Sequence, residues 1–218
     1  MVKYAMKCKS MLFNSEMVKA ILEGRKTQTR KIVRCKSSAD NLTEYSNIAA
    51  RRFISLGNAV RKCPCASGDI LWVRETWCRD AGRYMYRANY AESEKFYCNG
   101  KEVQLKWFSA VCMPKEAARI FLRVKDVHVE RLQEMTVLDA INEGCSGTVC
   151  DYADALPTIG CTDCCNTGWL ESPVAEFAQL WDTTIKPTDL DNYGWEANPW
   201  VWVIEFERCE KPDAGRAI

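Results

Sequence analysis

Histidine is almost missing from this chain: His128 is the one copy in 218 residues. Mechanisms built on histidine dyads, and metal centres rich in imidazole, are thereby nearly excluded. No apolar run approaches the ~18–20 residues that a membrane-spanning helix needs. Excess charge of either sign is missing too, with 30 Lys and Arg against 29 Asp and Glu and a net charge of +1. A nucleic-acid partner would have to be held by a local basic patch, because the chain as a whole supplies little attraction. There is no internal repeat and no low-complexity tail. The opening Met-Val-Lys-Tyr-Ala-Met-Lys-Cys is too polar for the apolar core of a secretory signal. A cytoplasmic protein without a membrane partner is expected.

Cysteine, in contrast, is plentiful at thirteen. The odd number, the absence of a signal sequence and a length sufficient for a core all argue for reduced thiols over a disulfide framework. Cys161 and Cys164 form a C-x2-C turn followed by Gly168, the shape of one half of a zinc knuckle. Cys145 and Cys150 could supply the other half, as could Cys63 and Cys65. A structural zinc on Cys145, Cys150, Cys161 and Cys164 is one reading, and loop cysteines that bind nothing are the other. The near-absence of histidine argues against a catalytic zinc.

The pattern along the chain predicts strands with short helices between them. Met11–Phe13 reads as a strand, and Asn14 caps a helix whose stripe is Met17, Val18, Ile21 and Leu22, with Gly24 as its stop. A helix is predicted around 47–56, carrying Arg51 and Arg52. Residues 67–77 read as a turn and strand with Leu71, Val73 and Glu75 on one face and Trp72, Arg74 and Thr76 on the other. Residues 83–90 read as the next strand, Asn99-Gly100 as a hairpin turn, and 118–132 as a long strand. Thr136 and Asp139 form a capping box for a helix that stops at Gly144. Ser172-Pro173 opens another helix, with Val174, Phe177, Leu180 and Trp181 as its stripe. Residues 198–210 close the chain as an apolar strand. The sum is an α+β chain, a small β-barrel or strongly curved sheet, read as a single domain over 1–218 with insertions at about 36–65 and 145–171.

The most unusual stretch is Ile21–Val33, ILEGRKTQTRKIV, where Arg25, Lys26, Arg30 and Lys31 interleave with Thr27 and Thr29 just past a helix end. A solvated basic turn that complements the helix dipole would account for it. So would a lining for a ligand pocket. Together with GDILWVRET, LQEMTVLDAINEG and the terminal WVIEFERC, this segment resembles the ASCH domain family, in its larger phage and prophage form. The resemblance spans roughly 11–34, 66–90, 112–144 and 173–208. It implies a PUA-like β-barrel with short flanking helices, related to RNA-binding modules.

Some bacterial members of that family hydrolyse N4-acetylcytidine. The resemblance carries their lysine and threonine onto Lys26 and Thr29 and their glutamate onto Glu143. Amide hydrolysis needs a nucleophile, a base and an acid. Lysine in dry, positively crowded surroundings can act as a base. Thr29 would supply the hydroxyl or orient a water, and Glu143 would return the proton. Lys26 and Thr29 are three apart, so a regular strand would turn them to opposite faces; Lys26 must precede the strand. Arg25, Arg30, Trp72, Arg74, Arg87 and Arg119 are candidate substrate-binding residues. An aromatic beside an arginine on one strand face suits base stacking and phosphate binding, although Trp72 could equally be core and Arg74 the partner of a carboxylate. The expected ligand is a nucleoside or nucleic acid, RNA in preference to DNA. The alternative to an amidohydrolase is a non-catalytic RNA- or DNA-binding module, with a small structural zinc site.

Overall fold

The computed structural model describes residues 7–33, 63–80, 82–91, 93–98, 101–149 and 169–212. The strands are β1 (Cys8–Leu12), β2 (Gln28–Ile32), β3 (Ile70–Arg74), β4 (Trp77–Asp80), β5 (Arg83–Tyr86), β6 (Phe96–Cys98), β7 (Lys101–Val103), β8 (Phe121–Arg131), β9 (Thr148–Val149), β10 (Trp169–Glu171) and β11 (Trp200–Cys209). The helices are α1 (Ser15–Leu22), α2 (Val137–Asn142), α3 (Pro173–Thr184) and α4 (Leu190–Tyr193). The architecture is mixed α+β around a five-stranded sheet of order β1-β3-β8-β11-β2. β1 runs parallel to β3 and β3 antiparallel to β8, so the sheet is mixed in direction.

The barrel expected from the sequence is not closed among the described residues: no pairing joins β1 to β2. The remaining strands form separate two-stranded sheets, β4 with β5, β6 with β7 and β9 with β10, and do not extend the main one. No helix among the described residues is long and apolar enough to cross a membrane.

Two compact units divide the chain: Met1–Gly24 with Cys65–Asp126 and Glu205–Ile218, and Arg25–Pro64 with Val127–Ile204. In the first, Asn14 Oδ1 accepts from the Met17 amide at 2.8 Å and starts α1, whose Val18, Ala20 and Ile21 are buried. Gly24 takes φ +78° just past the helix, a conformation that a side chain would strain. β3 alternates as predicted: Leu71, Val73 and then Glu75 are buried, while Trp72, Arg74 and Thr76 are half-exposed. Ile70, Met113, Ala117, Ala118 and Phe121 form a core against which Trp72, Trp77, Tyr84 and Tyr86 pack.

In the second unit, Leu132, Met135, Ala140, Cys145, Phe177, Trp181, Val201 and Val203 form the core. Phe177 and Trp181 come from the α3 stripe that Ser172 caps, its hydroxyl accepting from the Ala175 amide at 3.1 Å.

Two local expectations are corrected. Residues 83–90 are not one strand. β5 ends at Tyr86 and Arg87–Asn89 form a 3-10 turn, because the Arg87 guanidinium donates to the Tyr90 and Ala91 carbonyls at 3.0 Å each. Arg119 lies ahead of its strand, which begins at Phe121. The predicted helix at 47–56, with Arg51 and Arg52, and the Asn99-Gly100 turn lie outside the described residues. The strands flanking that turn do pair, with Cys98 opposite Lys101.

Candidate functional site

α2 is a short helix with strong ends. Thr136 Oγ1 accepts from the Asp139 amide, and Asp139 Oδ2 accepts from the Thr136 amide at 2.8 Å, which is the capping box read from the sequence. Its C-terminus leaves carbonyls that the helix itself cannot satisfy. Three consecutive residues of the basic stretch satisfy three consecutive carbonyls there. The Thr27 amide donates to Asn142 O at 2.8 Å, Lys26 Nζ to Glu143 O at 2.9 Å, and Arg25 Nη1 to Gly144 O at 2.8 Å. Cations at a helix C-terminus also meet the negative end of its dipole. Gly144, at φ +102°, turns the chain away at that point.

Lys26 does more than cap. Its Nζ also meets Glu143 Oε2 at 2.5 Å, with the two side chains 0% and 3% exposed. The other oxygen of Glu143 accepts from Arg30 Nη1 at 3.1 Å. Arg30 donates further to Glu130 Oε1 from Nε at 3.0 Å and from Nη2 at 2.6 Å, and Asp139 Oδ1 lies 3.8 Å from Nη2. Gln28 reaches Asp139 through its carbonyl at 2.8 Å and its carboxylate at 3.2 Å. The Phe177 ring lies 5.9 Å from the guanidinium. The Arg30 donors are thus committed to carboxylates, and its part is to orient Glu143 and Glu130.

Desolvation at such a network is costly unless every charge is paired, and removing one partner is the expensive change. Burial alone would raise the Glu130 carboxyl, but hydrogen bonds from His128 and Arg30, with the Arg30 charge, hold it below the usual range. Burial likewise opposes Asp139, which bonds from Thr136 and Gln28 and the Arg30 charge hold low.

Lys26 sits ahead of β2, as the spacing required, and Thr29 is buried on the strand itself. Strand alternation puts Thr29 and Lys31 on one face and Gln28 and Arg30 on the other. Lys31 is the residue the sequence reading passed over. Burial pushes its amine down, the Lys26 charge pushes the same way, and Glu143 opposes both. Its place two residues beyond Thr29 was the signal. Glu130, two residues beyond His128 on β8, was missed because nothing in its own segment marks it as the partner of an arginine 100 positions away.

Trp72, Arg74, Arg87 and Arg119 belong to the other compact unit and make contacts of their own there. Glu75, 1% exposed, receives a two-pronged grip from Arg119 at 2.8 and 2.9 Å, and Arg119 Nη1 donates to Asn89 Oδ1 at 2.9 Å. The same guanidinium lies 4.0 Å from the Tyr86 ring centre. Arg74 lies over Trp72 at 5.6 Å, with a buried Nε that finds no hydrogen-bond partner among the described residues. Arg87 lies over Trp107 at 5.6 Å.

Of the proposed zinc ligands, Cys150, Cys161 and Cys164 lie outside the described residues. Cys145 is enclosed in the apolar core of its unit, and its thiol is pushed up to about 12 by burial and by Glu176 and Glu143. That environment disfavours the thiolate that zinc requires. No protein-family model, curated protein or solved structure matches this chain.

Replacing Arg30 by Met takes the guanidinium from Glu130 and leaves Glu143 with Lys26 alone, and should cost about 3–5 kcal/mol in urea unfolding. Arg25→Ala, which removes an exposed guanidinium's hydrogen bond to the Gly144 carbonyl, should cost about 1 kcal/mol. A loss for Arg30→Met no greater than for Arg25→Ala would contradict the network. Glu130 and Asp139 have folded values below their unfolded ones. The stability they contribute is therefore complete above the unfolded carboxylate range, about pH 4, and is lost as pH falls through the lowered values. The double variant Glu130→Gln/Asp139→Asn should show a flatter fall in urea midpoint between about pH 5 and pH 2 than the parent.

Proposed function

We propose that the chain recognises an N-acylated nucleobase or nucleoside at the Lys26 site and hydrolyses its amide, with N4-acetylcytidine as substrate. The observation that carries this reading is the buried contact between the Lys26 ammonium and the Glu143 carboxylate, three residues ahead of the buried Thr29. Lys26 and Glu143 are 117 positions apart in sequence, and both belong to the set that the family resemblance selects.

In the proposed reaction Glu143 takes a proton from Lys26. The free amine then accepts the Thr29 hydroxyl proton as the oxygen attacks the acyl carbon. Glu143 gives its proton to the departing N4 amine, which releases cytidine and leaves Thr29 acylated. A second proton transfer to Glu143 lets Lys26 deprotonate water, which attacks the ester. Acetic acid leaves and ionises in water, and Glu143 returns the proton to Thr29. Arg30 holds the Glu143 carboxylate in place throughout.

A non-catalytic module that reads a modified or flipped base is the second reading. It is favoured by the capping of α2, which gives Arg25, Lys26 and Thr27 a structural task that requires no chemistry. Either reading goes with a PUA-like architecture, for which the five-stranded mixed sheet is the support. Either also fits a nucleoside or RNA partner in preference to DNA, in a cytoplasm where thiols stay reduced. A structural zinc belongs to the second reading, and stoichiometric zinc in elemental analysis is its check.

Cytidine should appear by chromatography when the protein is incubated with N4-acetylcytidine. Lys26→Ala and Thr29→Val should lower the rate by at least about a hundredfold. Lys26→Arg keeps the charge but cannot serve as a base near neutral pH, so it should retain binding and lose turnover. No cytidine from any of them, with nucleoside binding retained, would replace the hydrolase by the recognition module.

A further inference from the structure

The first compact unit carries a row of aromatic rings that neither reading of the Lys26 site uses. β4 and β5 pair with Trp77 opposite Tyr86 and Arg79 opposite Tyr84. The segment before Ser109 is tied alongside β4 by reciprocal backbone bonds between Trp77 and Phe108, at 2.7 and 3.2 Å. These ties set Tyr84, Trp77 and Phe108 in sequence, with ring centres 5.8 and 5.3 Å apart.

Trp77, in the middle, and Tyr84, at one end, pack against the core of Ile70 and its neighbours, which fixes the row in place. Phe108, at the end, is 39% exposed, a large apolar ring open to water on a scaffold it does not need to complete. A cation stands over each end. Arg79 lies 5.6 Å from the Tyr84 ring and Lys106 lies 5.9 Å from the Phe108 ring, and both cations are exposed. Asp80, the acidic neighbour, is matched in register by Arg83.

We propose that this row is a stacking surface for unpaired bases of a single-stranded nucleic acid, with Phe108 and Tyr84 receiving bases and Arg79 and Lys106 meeting phosphates. The chemistry favours this occupant over others. Aromatic rings accept any base through its face, and flanking cations supply the attraction to the backbone that an almost neutral chain lacks overall. A duplex hides the faces of its bases and cannot use the row. An apolar peptide would gain nothing from cations at both ends. None of its residues is used by the hydrolase reading, so it stands or falls independently of that reading.

The test is fluorescence anisotropy with labelled oligo(U) and oligo(dT) single strands and a duplex of equal length, in low salt. The parent protein should bind both single strands more tightly than the duplex, with affinity falling as salt rises. Phe108→Ala should weaken single-strand binding about tenfold or more. Arg79→Gln/Lys106→Gln should weaken it and flatten its salt dependence. Circular dichroism of each variant controls for folding, and the charge variant changes no packed ring. Absence of single-strand binding by the parent would overturn the proposal. So would parent-like binding by both the Phe108 and the charge variants, or equal affinity for the duplex.

Discussion

The second unit is organised by a constraint that water imposes: Lys26, Arg30 and Glu143 have lost their solvent, so each must find its counter-charge inside the protein. Glu143 answers both cations, one with each oxygen, and Glu130 takes up the remaining donors of Arg30. The geometry of α2 follows from this. A carboxylate at its last turn is useful only if the helix end is held still, and Arg25, Lys26 and Thr27 hold it by its carbonyls. One segment thus both fixes the helix and presents a lysine to the glutamate that ends it.

A buried ion pair is weak evidence of stability, because apolar residues of the same volume often serve a fold as well or better. This bears on function. A chain that keeps a lysine, an arginine and a glutamate buried carries a desolvation cost that a purely structural helix cap could have avoided. The exposed Arg25 caps its carbonyl without that cost. The aromatic row of the first unit is the opposite device: charge stays in water and rings rest on the core, so contact with a ligand requires little reorganisation of the protein.

Much of this was legible in the sequence where local chemistry decides the outcome. Asn14 and Gly24 bracket α1, Thr136 with Asp139 caps α2, and Ser172 with Pro173 opens α3, because caps and stops act within a few residues. β8 and β11 showed in their apolar runs. Arg87 was misplaced in a strand because the alternation of 83–90 continues past the point where its guanidinium curls the chain onto the Tyr90 and Ala91 carbonyls. The pairing of Lys26 with Glu143 was not written in periodicity at all; only the family resemblance put the two together. Arg30 with Glu130 and Arg119 with Glu75 had no such guide. Long-range partners are chosen by strand order, and β1-β3-β8-β11-β2 cannot be read from the order in which the strands occur along the chain.

The most direct test of the account is a double-mutant cycle between Lys26→Met and Glu143→Gln, read by urea unfolding. If the two side chains answer one another in a water-free site, their coupling should reach about 1–3 kcal/mol, and the double variant should be about as stable as either single one. Losses that simply add would mean that Lys26 and Glu143 act independently, and the site as described here would not exist.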